Sequence, residues 1–245
     1  MGIKYCRSCC QMTSHGLNDR CLKCGKNNLI QKNILGEECW VRKDTWDENI
    51  FKEMGLYLKK ISLTPEDVWL DVGGNIGSFC KKIAKEVATV IAYEPDENNF
   101  ELLKKNNEES DNIIFVNKAV IGNADIVRDF YLNQKTNKST HSFFVKRGRE
   151  RVEVGCENVN EIIQKYKVDK IKIDCEGSEY EIIKSIVDFS SIKEIFVEFH
   201  LNILCKKNDL TKYREVIKIL KKNFAYLEYP EDVKKNWHVY IYVKK

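Results

Sequence analysis

The chain has 245 residues, 43% hydrophobic and 32% charged, with a net charge of +4. That length accommodates one sizeable α/β domain plus a small appendage, and the composition is that of a soluble globular protein. The net charge is too small to imply nucleic-acid binding by itself, and no apolar run approaches the length of a membrane span.

The charge is unevenly placed. Residues 1–36 carry Lys4, Arg7, Arg20, Lys23, Lys26 and Lys32 against Asp19 alone, residues 201–245 are also basic, and the middle is mildly acidic. Basic ends suit an anionic partner such as nucleic acid or an acidic glycan, and they equally describe solvated helix faces. The N-terminus lacks the apolar core of a signal peptide. The ten cysteines do not form a secreted disulfide pattern, since Cys80, Cys156, Cys175 and Cys205 are scattered through expected core elements. Metal binding plus reduced thiols is the expected use, hence a cytoplasmic setting.

Residues 1–30 read as a zinc-ribbon-like module. Cys6-x-x-Cys9 and Cys21-x-x-Cys24 are two knuckles that can bring four thiolates to one tetrahedral Zn²⁺. The segment is too small to bury a core of its own, so the metal supplies its folding free energy. Cys10 and His15 are alternative ligands, and a redox-sensitive hairpin is the competing reading. Residues 31–66 read as a connector with a strand at Cys39–Val41 and a helix from Asp47 to Ile61. Ile50, Phe51, Met54, Tyr57, Leu58 and Ile61 recur at helical spacing there. Thr45 or Asp47 is the expected cap.

From residue 67 to 245, strands and helices alternate, which predicts a doubly wound, mostly parallel sheet with helices on both faces. Strands are expected at 68–72, 89–94, 112–117, 168–174 and 192–199, with helices at 76–87, 96–108, 158–166, 178–187 and 210–222. The stretch 118–156 is less regular, with antiparallel strands expected at 126–132, 142–147 and 151–156. A closing pair at 224–229 and 237–243 completes the sheet.

The run Val68-Trp-Leu-Asp-Val-Gly-Gly-Asn-Ile-Gly-Ser-Phe79 carries the most chemistry. A buried strand ends at Asp71-Val72, and Gly73, Gly74 and Gly77 let the backbone turn sharply and approach a ligand closely. The next strand ends in Glu94, placed to accept both hydroxyls of a ribose. The loop lacks the G-x-G-x-x-G spacing that seats a pyrophosphate. An acidic loop suits a ligand with positive charge and no phosphate, which describes S-adenosylmethionine. Nucleotide binding is the alternative.

Three segments resemble one family. Leu70-Asp-Val-Gly-Gly-Asn-Ile-Gly-Ser78, Tyr93-Glu-Pro-Asp96 and Lys170-Ile-Lys-Ile-Asp-Cys-Glu-Gly-Ser-Glu-Tyr180 are similar to the FkbM-type S-adenosylmethionine-dependent methyltransferases, from about residue 38 to about 200. Gly74 departs from the family's usual alanine, and the N-terminal cysteine module is outside the family pattern. The resemblance implies a seven-stranded class I methyltransferase sheet with one antiparallel strand, and O-methylation of sugars, glycans or natural-product hydroxyls. It places Gly73, Gly74, Asn75 and Gly77 against the methionine moiety, with Asp71 beneath and in water-mediated reach of the α-amino group. Glu94 would bind the ribose, while Asn117, Lys118 and Ala119 would edge the adenine pocket. Helix capping by Asn75 and strand termination by Asn117 are the purely structural readings.

Because a sulfonium already activates its methyl group, catalysis needs positioning of the acceptor oxygen and removal of its proton. Asp174, Glu176 and Glu179 cluster after a core strand, where ligands of open α/β sheets bind. Such a cluster can raise one pKa or hold a divalent cation. Glu198 and His200 end the next strand and reach the same edge, and His141 lies in the irregular stretch. The expected catalytic set is Asp174, Glu176, Glu198 and His200. The leading reading is an O-methyltransferase acting on a small polyhydroxylated acceptor. A methyltransferase of an RNA 2′-hydroxyl or of DNA, with the zinc module gripping the polymer, and a zinc-dependent protein-docking module with an inactive methyltransferase-like domain, are the rivals.

Overall fold

The computed structural model describes residues 3–6, 11–14, 29–133, 140–204, 210–230, 233 and 238–245. The expected zinc ligands Cys9, Cys21 and Cys24, with Cys10, His15 and the side chain of Cys6, lie outside the described residues. Strands β1 (Ile3–Cys6) and β2 (Gln11–Ser14) form an antiparallel pair.

The expected connector is a hairpin followed by a helix. Strands β3 (Leu29–Ile34) and β4 (Glu37–Arg42) pair antiparallel through a two-residue turn, Leu35-Gly36, whose φ angles are 53° and 85°. Two left-handed residues match the twist of a tight hairpin. Strand β3 carries no strand signal in the sequence, because only its ends, Leu29 and Ile34, are buried. Helix α1 (Asp47–Leu58) buries Ile50, Phe51, Met54 and Tyr57 along one face. Its first residue, Asp47, accepts from the Arg42 backbone N–H at 2.9 Å and from the Arg42 guanidinium at 2.8 and 3.0 Å, tying helix to hairpin.

The main domain then alternates: β5 (Val68–Val72), α2 (Ser78–Ile83), β6 (Thr89–Tyr93), α3 (Glu97–Asn106) and β7 (Ile113–Val116). Three strands follow, β8 (Ala119–Ile121), β9 (Val127–Leu132) and β10 (Glu150–Asn158). The chain closes with α4 (Val159–Tyr166), β11 (Lys170–Ile173), α5 (Glu179–Ser185), β12 (Glu194–His200), α6 (Leu201–Leu204), α7 (Thr211–Asn223), β13 (Tyr226–Glu228) and β14 (His238–Lys244).

Seven strands form one sheet in the order β13-β14-β12-β11-β5-β6-β7. Neighbours from β12 to β7 pair parallel, while β14 runs antiparallel to both β12 and β13. This is the mixed α/β sheet that the resemblance implies, with its one reversed strand. Strand periodicity sorts the side chains to two faces. Leu70, Val72, Ile91, Tyr93, Ile171, Ile173, Ile195 and Val197 pack with residues of α4, α5 and α7. Trp69, Val90, Ala92 and Phe196 face the other way, onto α1 and α2.

The irregular stretch forms a separate three-stranded sheet, ordered β8-β10-β9, over its own cluster of Ala119, Ile121, Phe130, Val154 and Cys156. The strand expected at 142–147 is replaced by a single bridge from Ser142 to Tyr131. Ser142 instead turns its hydroxyl to the Glu176 carbonyl at 2.7 Å, anchoring this insertion to the loop after β11. No described helix is long and apolar enough to cross a membrane.

Candidate active site

The parallel strands β5, β6, β11 and β12 end along one edge, and a cavity of about 270 Å³ opens there. Its first wall is the loop after β5. Gly73 has φ of 79°, and a Cβ added there would lie 1.9 Å from the Asp174 carbonyl oxygen. Only glycine lets the β5 and β11 ends approach this closely. The N–H groups of Gly73 and Gly74 both donate to the Tyr93 carbonyl, at 3.0 and 2.9 Å, which fixes the turn. Glu94, following β6, accepts from the Asn75 N–H at 2.8 Å and the Asp96 N–H at 2.9 Å. Burial, reinforced by Asp96, pushes its pKa up to about 8.

The expected donor-site residues divide into two groups. Gly73, Asn75, Glu94 and Ala119 line the cavity, whereas Asp71, Gly74, Gly77 and Asn117 do not. Asp71 is fully buried under the loop, 3.0 Å from the Lys172 ammonium, and accepts from the Cys80 thiol at 3.3 Å. Gly77 is the N-cap of α2, with φ of 84°, so Asn75 does not cap that helix. The Asn75 Oδ1 is buried with no hydrogen-bond partner among the described residues. Asn117 donates to the Glu94 carbonyl at 2.8 Å, a backbone brace for the acid rather than part of the lining.

The opposite wall is a carboxylate–imidazole cluster. His200 Nδ1 lies 2.7 Å from Glu179 Oε1, which also accepts from the Gly177 N–H at 3.0 Å. Its Nε2 faces Glu176 at 3.5 Å, and Asp174 and Glu198 each at 3.9 Å. Burial works against the charged imidazole, but Glu179 and then Glu176 and Asp174 outweigh it and hold the His200 pKa well above the usual range. Burial and the neighbouring Glu198 push Asp174 up to about 6, and burial lifts Glu176 to about 7. Glu198 stays below its ordinary range: burial pushes it up, yet hydrogen bonding to His238 and the nearby His200 prevail.

The four residues expected to be catalytic, Asp174, Glu176, Glu198 and His200, are therefore brought together on one wall. His141 also lines the cavity, with Nδ1 accepting from the Asn133 N–H at 2.8 Å. Glu179 sits behind His200, fully buried. Tyr57 and His238 were not expected. The Tyr57 hydroxyl donates to Glu198 at 2.5 Å and lies 3.3 Å from Asp174, while His238 Nδ1 lies 2.7 Å from the other Glu198 oxygen.

The sequence pattern of the methyltransferase FkbM domain matches residues 71–227. The chain belongs to that family. The chain is 25% identical, over 148 residues, to the hexuronic acid methyltransferase AglP of Haloferax volcanii. The alignment covers 60% of this chain and 61% of that relative, so the chain spans less than two thirds of its length. Among solved structures, a fibrillarin/Nop5p complex shares the fold with a TM-score of 0.50 at 17% identity, covering 79% of this chain and 80% of that one. A methyltransferase FkbM from Methylobacillus flagellatus KT gives a TM-score of 0.49 at 14% identity, over 79% of this chain and 47% of that one.

One of these two residues carries a signal in the sequence once its topology is known, and the other does not. An antiparallel last strand must start where β12 ends, and His238 is the register partner of His200. Tyr57 occupies the buried stripe of α1, where an aromatic residue reads as core rather than as a hydrogen-bond donor.

Proposed function

We propose that this enzyme transfers a methyl group from S-adenosylmethionine to a hydroxyl of a sugar, glycan or other polyhydroxylated molecule. The observation that carries this reading is a single cavity lined by Gly73, Asn75 and Glu94 together with Asp174, Glu176, Glu198 and His200. The relative AglP, named for methylation of a hexuronic acid, supports a sugar acceptor.

The residues present fit the donor. Glu94 offers a carboxylate to a diol, and the side-chain oxygen of Asn75 is buried with no hydrogen-bond partner among the described residues. When bound, S-adenosylmethionine supplies a methyl already activated on a sulfonium. The protein's task is then to exclude water, orient the acceptor oxygen and receive its proton. His200 is the less suitable base: Glu179 occupies its Nδ1, and its carboxylate neighbours raise its pKa well above the usual range. Asp174 is the better one: it follows β11 beside the Gly73 turn, and its pKa near 6 leaves it ionised yet basic at neutral pH. Tyr57, with its hydroxyl 3.3 Å away, holds the carboxylate in place.

Transfer of labelled methyl to a panel of mono- and oligosaccharides tests the reading. Asp174→Asn should lower turnover by about 10²–10⁴, the usual worth of a general base, with affinity for S-adenosylhomocysteine unchanged. Transfer to nitrogen or carbon acceptors alone would overturn the hydroxyl assignment, and an Asp174→Asn enzyme near wild-type rate would move the base elsewhere.

A further inference from the structure

We propose that Glu198, His200 and His238 bind a first-row divalent transition-metal ion at the acceptor end of the cavity. The inference rests on the hydroxyl-methylation reading and adds a cation to the same wall. One ligand-capable atom from each of these residues lies within 4.8 Å of the others. Tetrahedral or octahedral ligands about 2.1 Å from an ion stand roughly 3–3.4 Å apart, so small side-chain rotations close the site.

Independent geometry supports it. The His200 ring is locked from behind: Nδ1 meets Glu179 at 2.7 Å, and Glu179 is itself held by the N–H groups of Gly177 and Cys175 at 3.0 and 3.3 Å. That arrangement leaves Nε2 directed at Glu176, Asp174 and Glu198. A buried carboxylate behind one ring nitrogen, with the other facing the site, is how metal-binding imidazoles are oriented. Register supplies the second imidazole, because β14 pairs His238 with His200 and the rings lie 4.6 Å apart between centroids. Tyr57 donates to Glu198 Oε2, leaving Oε1 toward both histidines. Two imidazoles and a carboxylate favour manganese, iron, cobalt, nickel or zinc over magnesium or calcium, which prefer all-oxygen sites.

Such an ion neutralises the carboxylates that converge here and polarises an acceptor hydroxyl bound to it. The hydroxyl proton passes to Asp174, the oxygen forms its bond to the methyl carbon as the carbon–sulfur bond breaks, and no oxidation state changes.

Manganese is the probe, because the thiolates of residues 1–30 discriminate against it. Titration of the full-length protein with Mn²⁺, followed by the loss of free-ion electron paramagnetic resonance, should show one bound ion per chain, with pulsed spectra reporting coupling to imidazole nitrogens. Glu198→Gln and His238→Ala should each weaken binding about tenfold or more. Cys21→Ser should leave it unchanged, and retained S-adenosylhomocysteine affinity certifies that each variant is folded. Absence of binding by wild type, absence of nitrogen coupling, or unchanged affinity in both ligand variants overturns the site. A wild type that binds no manganese, zinc or cobalt yet methylates sugars sinks the metal alone. Manganese binding in a protein that methylates no hydroxyl leaves the metal site standing and removes the function assigned to it.

Discussion

Glu94 links the geometry of the turn to the chemistry of the proposed donor site. Its two oxygens hold the Asn75 and Asp96 N–H groups, while burial and Asp96 lift its pKa to about 8. The sign of its pH dependence follows. Below pH 8 the empty site holds the proton, whereas a bound diol, donating to both oxygens, favours the ionised carboxylate. Donor binding therefore releases a proton, and S-adenosylhomocysteine affinity should rise with pH by up to about tenfold per unit below pH 8, then level off. Calorimetric titration of wild type against Glu94→Gln isolates this proton, since the variant should lose that component of the profile. Glu94→Ala should weaken binding by about 1.5–3 kcal/mol, the worth of a hydrogen bond to a charged group. A flat wild-type profile, or full affinity in the alanine variant, would place the ribose elsewhere.

At the scale of elements, β11 places charge inside the sheet. Its alternation directs Ile171 and Ile173 into the apolar layer of α4, α5 and α7, and turns Lys170 and Lys172 to the other face. Both lysines are buried. Lys170 meets Asp67 at 2.8 Å and Glu194 at 3.3 Å, while Lys172 meets Asp71 at 3.0 Å and the Gly73 carbonyl at 2.9 Å. Lys172 thus joins β5, β11 and the base of the Gly73 turn. Burial opposes its charge, but Asp71 and Asp174 outweigh that and raise its pKa. Replacing it with methionine leaves Asp71 charged and buried without its cation. Lys172→Met should cost about 3–5 kcal/mol of stability in urea unfolding, and adding Asp71→Asn should recover much of it. Equal stability of the single variant and wild type would show that this pair contributes little.

Across the whole molecule, the cavity is walled by elements distant in sequence: α1, the ends of β5, β6, β11 and β12, the insertion around Phe130 and His141, and the start of β14. A ligand seated there is coupled to global unfolding. At one hundred times its dissociation constant, S-adenosylhomocysteine should add about 2.7 kcal/mol. For a chain of this size that corresponds to a rise of roughly 5–10 °C in melting temperature. Thermal denaturation checks it, and Glu94→Ala at the same ligand concentration should show a smaller shift. A shift below 1 °C in wild type at saturation would mean that the ligand does not bind a cavity built by the fold as a whole.

Much of this architecture was legible from residue order. The alternation of short apolar runs with helical stripes placed the seven sheet strands to within a few residues, because buried parallel strands and amphipathic helices have different periods. The glycine turn after Val72 and the acids following β6 and β11 were readable too, since backbone conformation and charge at strand ends are local properties. The connector hairpin was not legible, because β3 buries only its ends. Local pattern also left undecided which acids face the cavity: Asp71 and Asp174 both lie at ends of central strands, yet Asp71 is sealed against Lys172 while Asp174 opens to the site. Only tertiary structure made that division, along with the burial of Lys170 and Lys172 and the approach of Tyr57 and His238 to Glu198. Each depends on a contact across many residues and on strand register. A chain's local propensities determine which elements form, whereas the pairing of those elements determines which side chains meet.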